Sequence, residues 1–166
     1  MPGSTFDVEV ERSFGAPIEH VWRAWTDPAD LRMWWGPEGF TCPRAEADIR
    51  VGGRIRVTMQ APAAWGGFQQ HSTWTITELH PPRLLRYVFT FTDAGGNHIT
   101  PAEAGIPPGV PDEGQHMVEL TPTPDGGTRL RMTESGYTTA EARDLSASGL
   151  QQCLDKMAAH VEGMER

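Results

Sequence analysis

The residues with the clearest chemical potential in this sequence are His116 and Glu134. A carboxylate beside an imidazole raises the histidine pKa and fixes its tautomer, which is how proteins prepare a general base. Both residues belong to a predicted β-hairpin, in which residues 115–121 and 128–134 alternate apolar and polar side chains around a Pro-Asp-Gly-Gly turn. The pair is therefore a candidate for proton transfer. In the simpler interpretation it is a cross-strand polar pair that closes one end of a sheet.

The register of this hairpin decides whether the two side chains meet. Pairing Leu120 with Leu130 places the apolar side chains of both strands on one face, and the same register sets His116 opposite Glu134. Because the apolar side chains belong inside, we expect the polar pair at the floor or the mouth of an internal cavity. A slip of one residue would turn both side chains outward.

The element that must position such a site is the amphipathic stretch from Thr138 to Glu165. Thr138 and Glu141 have the spacing of a capping box, which predicts a helix starting near Thr139. A helix of about 25 residues is roughly 40 Å long, enough to span a whole sheet. Its stripe of leucine, cysteine and methionine is typical of core packing, and it would also make an adaptable cavity wall. The stripe consists of Leu145, Leu150, Cys153, Leu154, Met157, Val161 and Met164.

The rest of the chain reads as one strand, two short helices and six more strands. Residues 6–14 alternate as a half-buried strand, Pro17 and Pro28 open the two helices, and Gly36-Pro37 ends the second. Short turns between successive strands indicate an antiparallel sheet, one face of which the long helix must cover. The predicted fold is therefore α+β, with a seven-stranded antiparallel curved sheet wrapped around a long C-terminal helix and two short helices after strand 1. The six later strands are predicted around residues 45–50, 55–59, 70–79, 84–92, 115–121 and 128–134.

Residues 93–114 are the longest stretch without periodicity, and they are rich in Gly and Pro. A segment of about 20 residues without regular structure is uncommon inside a compact domain and is usually a functional lid or a disordered excursion. We expect a flexible loop here. The chain as a whole, residues 1–166, is predicted to form a single domain with its core at about 6–164.

The composition excludes several classes of protein. A net charge of −8 without a cluster of Lys and Arg argues against nucleic acid and against anionic membrane surfaces. No apolar run reaches about 18 residues and the first residues do not read as a signal peptide, which predicts a cytoplasmic protein without membrane insertion. Two cysteines and six histidines show no metal-binding or disulfide pattern, so neither a metal nor another cofactor is predicted. The sequence leaves open whether the protein is a monomer or a homodimer.

Six tryptophans are the unusual feature of the composition. Trp34 and Trp35 follow a helix end, so at least one of the rings should close over the mouth of the sheet. Trp74 lies on an inward strand face, and His71 should lie on the opposite face. A gap between a curled sheet and a soft helix often binds small apolar ligands. The residues predicted to contact such a ligand are Trp35, Trp74, Tyr87, Phe89, Val118, Met132, Leu150, Cys153, Leu154 and Met157.

Several short motifs give the chain a resemblance to a known family. Taken in order, they resemble the activator of heat-shock-protein-90 ATPase-like family of the START-like superfamily, which is also called SRPBCC or Bet v 1-like. The motifs are Leu31-Arg32-Met33-Trp34-Trp35-Gly36-Pro37-Glu38-Gly39-Phe40-Thr41, Val51-Gly52-Gly53-Arg54, Glu78-Leu79-His80-Pro81-Pro82-Arg83-Leu84 and Gly127-Thr128-Arg129-Leu130.

The resemblance implies a helix-grip fold with an internal cavity, and it implies function only loosely, because the superfamily spans lipid carriers, polyketide cyclases and hydroxylase subunits. Two features depart from the family pattern. Gly149-Leu150 replaces the usual Gly-Trp, which should widen the cavity, and the 93–114 segment is longer than usual. Chaperone activators of this family carry an additional N-terminal domain that has no counterpart in these 166 residues, so co-chaperone activity is not expected.

Three functions remain open at this point. The favoured hypothesis is binding of a small hydrophobic or aromatic ligand between the sheet and the C-terminal helix. The alternative is a cyclase- or lyase-type enzyme that orients a polyketide-like or aromatic substrate and uses His116 and Glu134 for proton transfer. The third is an interaction module like the chaperone-ATPase activators, which would require an exposed apolar patch.

Overall fold

The structure, a computed structural model, describes residues 5–163. A single turn of 3-10 helix at Ala63–Trp65 follows the third strand. The elements in chain order are β1 (Phe6–Phe14), α1 (Ile18–Thr26), α2 (Pro28–Trp34), β2 (Thr41–Ala47), β3 (Arg54–Gln60), β4 (Gln69–His80), β5 (Leu84–Thr92), β6 (Gly114–Pro122), β7 (Thr128–Tyr137) and α3 (Ala140–Glu162).

The strands form one antiparallel sheet of seven strands in the order β1-β7-β6-β5-β4-β3-β2. Sequence neighbours are therefore also spatial neighbours, except that β1 pairs with β7. The predicted α+β architecture, with two short helices after the first strand and a long helix at the C-terminal end, is confirmed. No helix within residues 5–163 is long and apolar enough to cross a membrane.

The register of the last hairpin is the predicted one. Leu120 pairs with Leu130, and His116 lies opposite Glu134. Alternation sets the apolar side chains of both strands on the face toward the core, where they are almost completely buried. The polar pair shares that inward face, as the sequence predicted.

Tryptophan rings fill one part of the space between the sheet and α3. Trp25 of α1 and Trp34 of α2 pack edge to face with ring centroids 4.8 Å apart, and Trp25 also contacts Trp74 of β4. All three are fully buried, and the Trp34 Nε1–H donates to the Ala24 carbonyl at 2.6 Å. Trp34 is thus a core residue, which leaves Trp35 as the ring that can cover an opening.

The start of α3 differs from the prediction by one residue. Thr139, not Thr138, is the N-cap, and its Oγ1 accepts a hydrogen bond from the Ala142 N–H at 3.0 Å. The Thr138 N–H instead donates to the Gly109 carbonyl at 2.8 Å, which ties Thr138 to the loop before β6. The predicted capping box is therefore wrong, because Glu141 falls one position short of the reciprocal site. Glu141 still lies in the first turn, where a negative charge favours the helix dipole.

The apolar stripe of α3 is confirmed only from Leu150 onward. Leu150, Leu154 and Met157 are buried against the sheet, whereas Leu145 is 64% exposed and does not belong to the stripe. Met164 lies outside the described residues. The first half of α3 therefore does not pack on the core in the way that the second half does.

The cap can be tested by a matched pair of variants. Thr139→Ala removes the side-chain acceptor and should lower the free energy of unfolding by about 1 kcal/mol. Thr138→Ala, the neighbouring control, keeps its backbone hydrogen bond and should change the stability by less than about 0.5 kcal/mol. Urea unfolding of both variants measures the difference. A larger loss for Thr138→Ala than for Thr139→Ala would contradict the assignment.

Candidate functional site

A cavity of about 270 Å³ lies at one end of the sheet. Because the strands are antiparallel, the last residues of β3, β5 and β7 lie beside the first residues of β4 and β6 at one end of the sheet. The cavity is lined there by Met59, Gln70, Phe91 and Tyr137, each within three residues of a strand terminus. The site is therefore built from strand ends, not from the middle of the sheet.

Two further elements close the cavity. The first half of α3 contributes polar and small side chains as well as apolar ones, and the segment 93–113, here called the lid, contributes apolar ones. Lining residues from the sheet, the α2–β2 connection and the loop before β4 are Trp35, Pro37, Phe40, Met59, Phe68, Gln70, Phe89, Phe91, Gly114, His116, Glu134 and Tyr137; the lid adds Ile106, Val110 and Pro111, and α3 adds Ser146, Gly149, Leu150 and Cys153.

The lid is held against the start of α3 by a close backbone approach. A side chain at Gly109 would place its Cβ 2.4 Å from the Thr139 hydroxyl oxygen and 2.8 Å from Ala142, and the φ of Gly109 is +107°. Only glycine fits both constraints without strain. The segment predicted as a flexible loop therefore forms one wall of the cavity.

His116 is packed between two aromatic rings. The Phe89 ring stacks on the imidazole with centroids 5.1 Å apart and an interplanar angle of 17°, and Tyr87 lies 5.1 Å away on a tilted plane. Tyr87 itself stacks on Trp74 at 4.8 Å, which connects the site to the core. The imidazole orientation is therefore set by aromatic packing.

Glu134 does not orient the imidazole in the way that the sequence predicted. The Glu134 Oε1 accepts a hydrogen bond from the Tyr137 hydroxyl at 2.8 Å, whereas its Oε2 lies 3.7 Å from the His116 Nδ1. The Nδ1 instead lies 3.3 Å from the Tyr87 hydroxyl. The two residues are neighbours across the strands but are not joined by a hydrogen bond.

A bulge in β7 explains the Tyr137 contact. Residues three apart on a regular strand point to opposite faces. Between Phe6 and Val8, however, the β1–β7 register shifts by one residue, and Gly136 adopts a φ of +104°. The extra residue returns Tyr137 to the face of Glu134. This partner could not be found by counting along a regular strand.

The electrostatic consequence for His116 is opposite to the prediction. Burial lowers the pKa of the imidazole, and the attraction of the Glu134 carboxylate offsets only part of that shift. The predicted rise of the His116 pKa is therefore wrong. The imidazole is neutral near pH 7, so only one of its two nitrogens carries a proton, and the Nδ1 faces the Tyr87 hydroxyl. The other nitrogen, Nε2, has no hydrogen-bond partner among the described residues.

Burial also raises the pKa of the two hydroxyls that surround the pair, Tyr87 and Tyr137, in each case with a further contribution from Glu134. Both phenols therefore remain protonated and act as hydrogen-bond donors. On α3, burial raises the pKa of the Cys153 thiol to about 12, which makes it a poor nucleophile. Within residues 5–163, no group of three or more His, Cys, Asp or Glu side chains could hold a metal ion.

The predicted site residues divide into two groups. Those that line the cavity are Trp35, Phe89, His116, Glu134, Leu150 and Cys153. Those that lie instead in the buried core are Trp74, Tyr87, Val118, Met132, Leu154 and Met157. The second group faces inward as predicted but lies where the tryptophans and the second half of α3 already fill the space. His71 lies on the face opposite Trp74, as expected, with its Nδ1 2.7 Å from the Thr58 hydroxyl.

Among the lining residues that sequence reasoning missed, two sets are instructive. One set lies at strand ends, including Met59, Phe91 and Tyr137, and the signal for it was available, since a lid between β5 and β6 must lie over that edge. The other set, Ile106 and Val110, belongs to the lid itself. No periodic pattern marks apolar residues in an irregular segment.

The pKa of His116 predicts a pH dependence of stability. Below about pH 6.5 the unfolded chain binds a proton at this histidine that the folded protein excludes, so the folded state loses stability as the pH falls. His116→Gln removes this contribution and should flatten the decline in unfolding free energy between about pH 7.5 and pH 5.5. Urea unfolding at several pH values measures both slopes. Equal slopes for the two proteins would contradict the buried neutral imidazole.

Comparison with known proteins agrees with this architecture. A family model for activator of Hsp90 ATPase homolog 1-like protein matches residues 15–162. A crystal structure from Chromobacterium violaceum is 31% identical, with a TM-score of 0.76 over 99% of this chain and 100% of that one. No curated protein matches the chain.

Two more distant structures share the fold. A Mycobacterium smegmatis protein is 24% identical, with a TM-score of 0.75 over 96% of this chain and 93% of that one. The AHSA1 protein from Silicibacter pomeroyi is 23% identical, with a TM-score of 0.73 over 93% of this chain and 96% of that one. The resemblance seen in the motifs around Trp34-Trp35-Gly36-Pro37 is thus confirmed, and the chain belongs to the activator of Hsp90 ATPase homolog 1-like family, with the START-like fold.

Proposed function

We propose that this protein binds a small aromatic or hydrophobic molecule in the cavity between the sheet, α3 and the lid. The observation that carries the proposal is the lining itself, which is mainly aromatic and aliphatic and has one polar end at His116 and Glu134. Ligand sites have this composition, with apolar walls for affinity and a few polar groups for orientation.

The volume limits the size of the ligand. A cavity of about 150 Å³ is enough to bind benzene. The cavity here, about 270 Å³, is nearly twice that and lies at the lower limit of typical ligand pockets. A bicyclic aromatic molecule fits this volume.

The helix sequence keeps this space open. Gly149 lies inside α3, where glycine costs about 0.5–1 kcal/mol relative to alanine, and a Cβ at that position would meet no atom within 4 Å. Leu150 lines the cavity beside it. A small residue that weakens the helix at the cavity wall is consistent with a space used for a ligand.

Proton transfer by His116 and Glu134 is the second candidate function. The neutral imidazole favours it, because a base near pH 7 must be unprotonated. The Glu134 hydrogen bond to Tyr137 argues the other way, because the carboxylate does not orient the imidazole as a catalytic pair requires. We therefore place binding first.

A ring placed into the cavity tests the proposed binding. Leu150→Trp should reduce the affinity for β-naphthylmethanol, a neutral bicyclic probe, by about tenfold or more, because the larger side chain occupies ligand space. Overpacking a filled core costs about 1–3 kcal/mol of stability, and a smaller loss would indicate that the ring enters an existing void. Isothermal titration calorimetry measures the affinity, and urea unfolding measures the stability.

Ser148→Trp is the matched control, because Ser148 is exposed on the same helix. This variant should bind the probe as the unmodified protein does. If Leu150→Trp also left the affinity unchanged, the probe would bind elsewhere and the proposal would be wrong.

A further inference from the structure

The polar end of the cavity is acidic, and one of its carboxylate oxygens has no hydrogen-bond donor among the described residues. The Glu134 side chain is 9% exposed, and its Oε1 accepts the hydrogen bond from Tyr137. The second oxygen, Oε2, has no hydrogen-bond partner within residues 5–163, and its nearest polar neighbour across the hairpin is the His116 Nδ1 at 3.7 Å. This oxygen is open to the cavity, so a ligand that covered it without supplying a donor would leave it unsatisfied, which is costly.

Within residues 5–163, no Lys or Arg side chain pairs with this carboxylate. His116 is neutral near pH 7 because burial lowers its pKa, and no Lys or Arg of the described chain lines the cavity. Lys156, which lies close to Cys153, donates instead to the carbonyls of Gly36 and Phe40 at 2.9 and 3.0 Å. A cationic ligand would therefore complement Glu134 where no cationic side chain of the lining does.

The walls favour the same ligand chemistry. Aromatic rings carry negative charge on their faces and attract cations, most strongly where water is excluded. The rings that line the cavity are Trp35, Phe40, Phe68, Phe89, Phe91 and Tyr137. A purely apolar ligand would remove water from the Glu134 Oε2 without replacing its hydrogen bonds, and an anionic ligand would be repelled.

We infer that the ligand is a small aromatic amine, bound as the ammonium ion, with its ring system among the aromatic side chains and its ammonium group donating a hydrogen bond to the Glu134 Oε2. This inference rests on the proposed function and adds the charge and the anchoring group of the ligand. The His116 Nε2, which has no hydrogen-bond partner among the described residues, lies at the same end of the cavity.

Four probes that share one bicyclic frame test the inference: β-naphthylmethylamine, β-naphthylmethanol, β-methylnaphthalene and β-naphthoate. They differ at one exocyclic carbon, which carries an ammonium group, a hydroxyl group or only hydrogen, or is itself the carboxylate carbon at pH 7. Titration calorimetry on the full chain should show the amine binding about ten- to a hundredfold more tightly than β-methylnaphthalene, as expected for a hydrogen bond to a charged group. The alcohol should lie between them, and the carboxylate should bind most weakly.

Glu134→Gln assigns the preference to one residue. Glutamine keeps an acceptor for Tyr137 but removes the charge, so the advantage of the amine over β-methylnaphthalene should fall to within about threefold. Glu9→Gln, which removes the same charge from an exposed position on β1, is the control and should keep the preference.

The outcomes separate the two proposals. Equal affinity for the amine and β-methylnaphthalene, or tighter binding of β-naphthoate, would overturn the amine inference and leave the cavity as a binding site. Failure of all four probes to bind the unmodified protein would overturn both proposals. Because the first comparison uses only the unmodified chain, it decides the question even if Glu134→Gln does not fold.

Discussion

A single helix must cover one face of a seven-stranded curved sheet, and the rest of the structure follows from how it does so. The α3 helix is about 35 Å long. Its second half packs directly on the core through Leu154, Met157 and Val161, which are almost fully buried. Its first half, around Ser146 and Gly149, faces a cavity that the lid closes from the other side. The cavity is thus the space that remains where α3 lies over the sheet without packing directly against it.

Aromatic packing fills one part of the space between the sheet and α3. It also determines the chemical character of the cavity that remains in the other part. A continuous series of ring contacts runs from the core to the cavity through Trp25, Trp34, Trp35, Trp74, Tyr87, His116, Phe89 and Phe91. Near its end the rings of Tyr87 and Phe89 pack against the imidazole and bury most of it. The same contacts that stabilise the fold therefore lower the pKa of His116 and leave Glu134 as the charged group of the cavity. Stability and ligand preference depend on one set of contacts.

The sequence predicted the fold well because alternation and helical periodicity are local signals. It placed His116 opposite Glu134, since a wrong register would have exposed the apolar side chains of the hairpin. The sequence wrongly placed Trp74 and Val118 in the cavity lining. Alternation along a strand tells which face of the sheet a side chain is on, but not whether that part of the face is filled by the core. The sign of the His116 pKa shift failed for a related reason, since desolvation depends on burial by residues distant in sequence. The bulge that brings Tyr137 to Glu134 and the apolar residues of the lid follow no period at all.

The central claim, that the cavity is the binding site, is tested most directly by methyl nuclear magnetic resonance during titration with an aromatic ligand such as β-naphthylmethylamine. Methyl groups of Met59, Ile106, Val110 and Leu150 line the cavity, whereas Val8, Leu31 and Leu85 lie in the filled core. Ring currents from a bound ligand act over short distances, so the account predicts saturable shifts concentrated in the first group. Shifts confined to exposed methyl groups such as those of Val51 and Leu145, or no shifts at all, would contradict it.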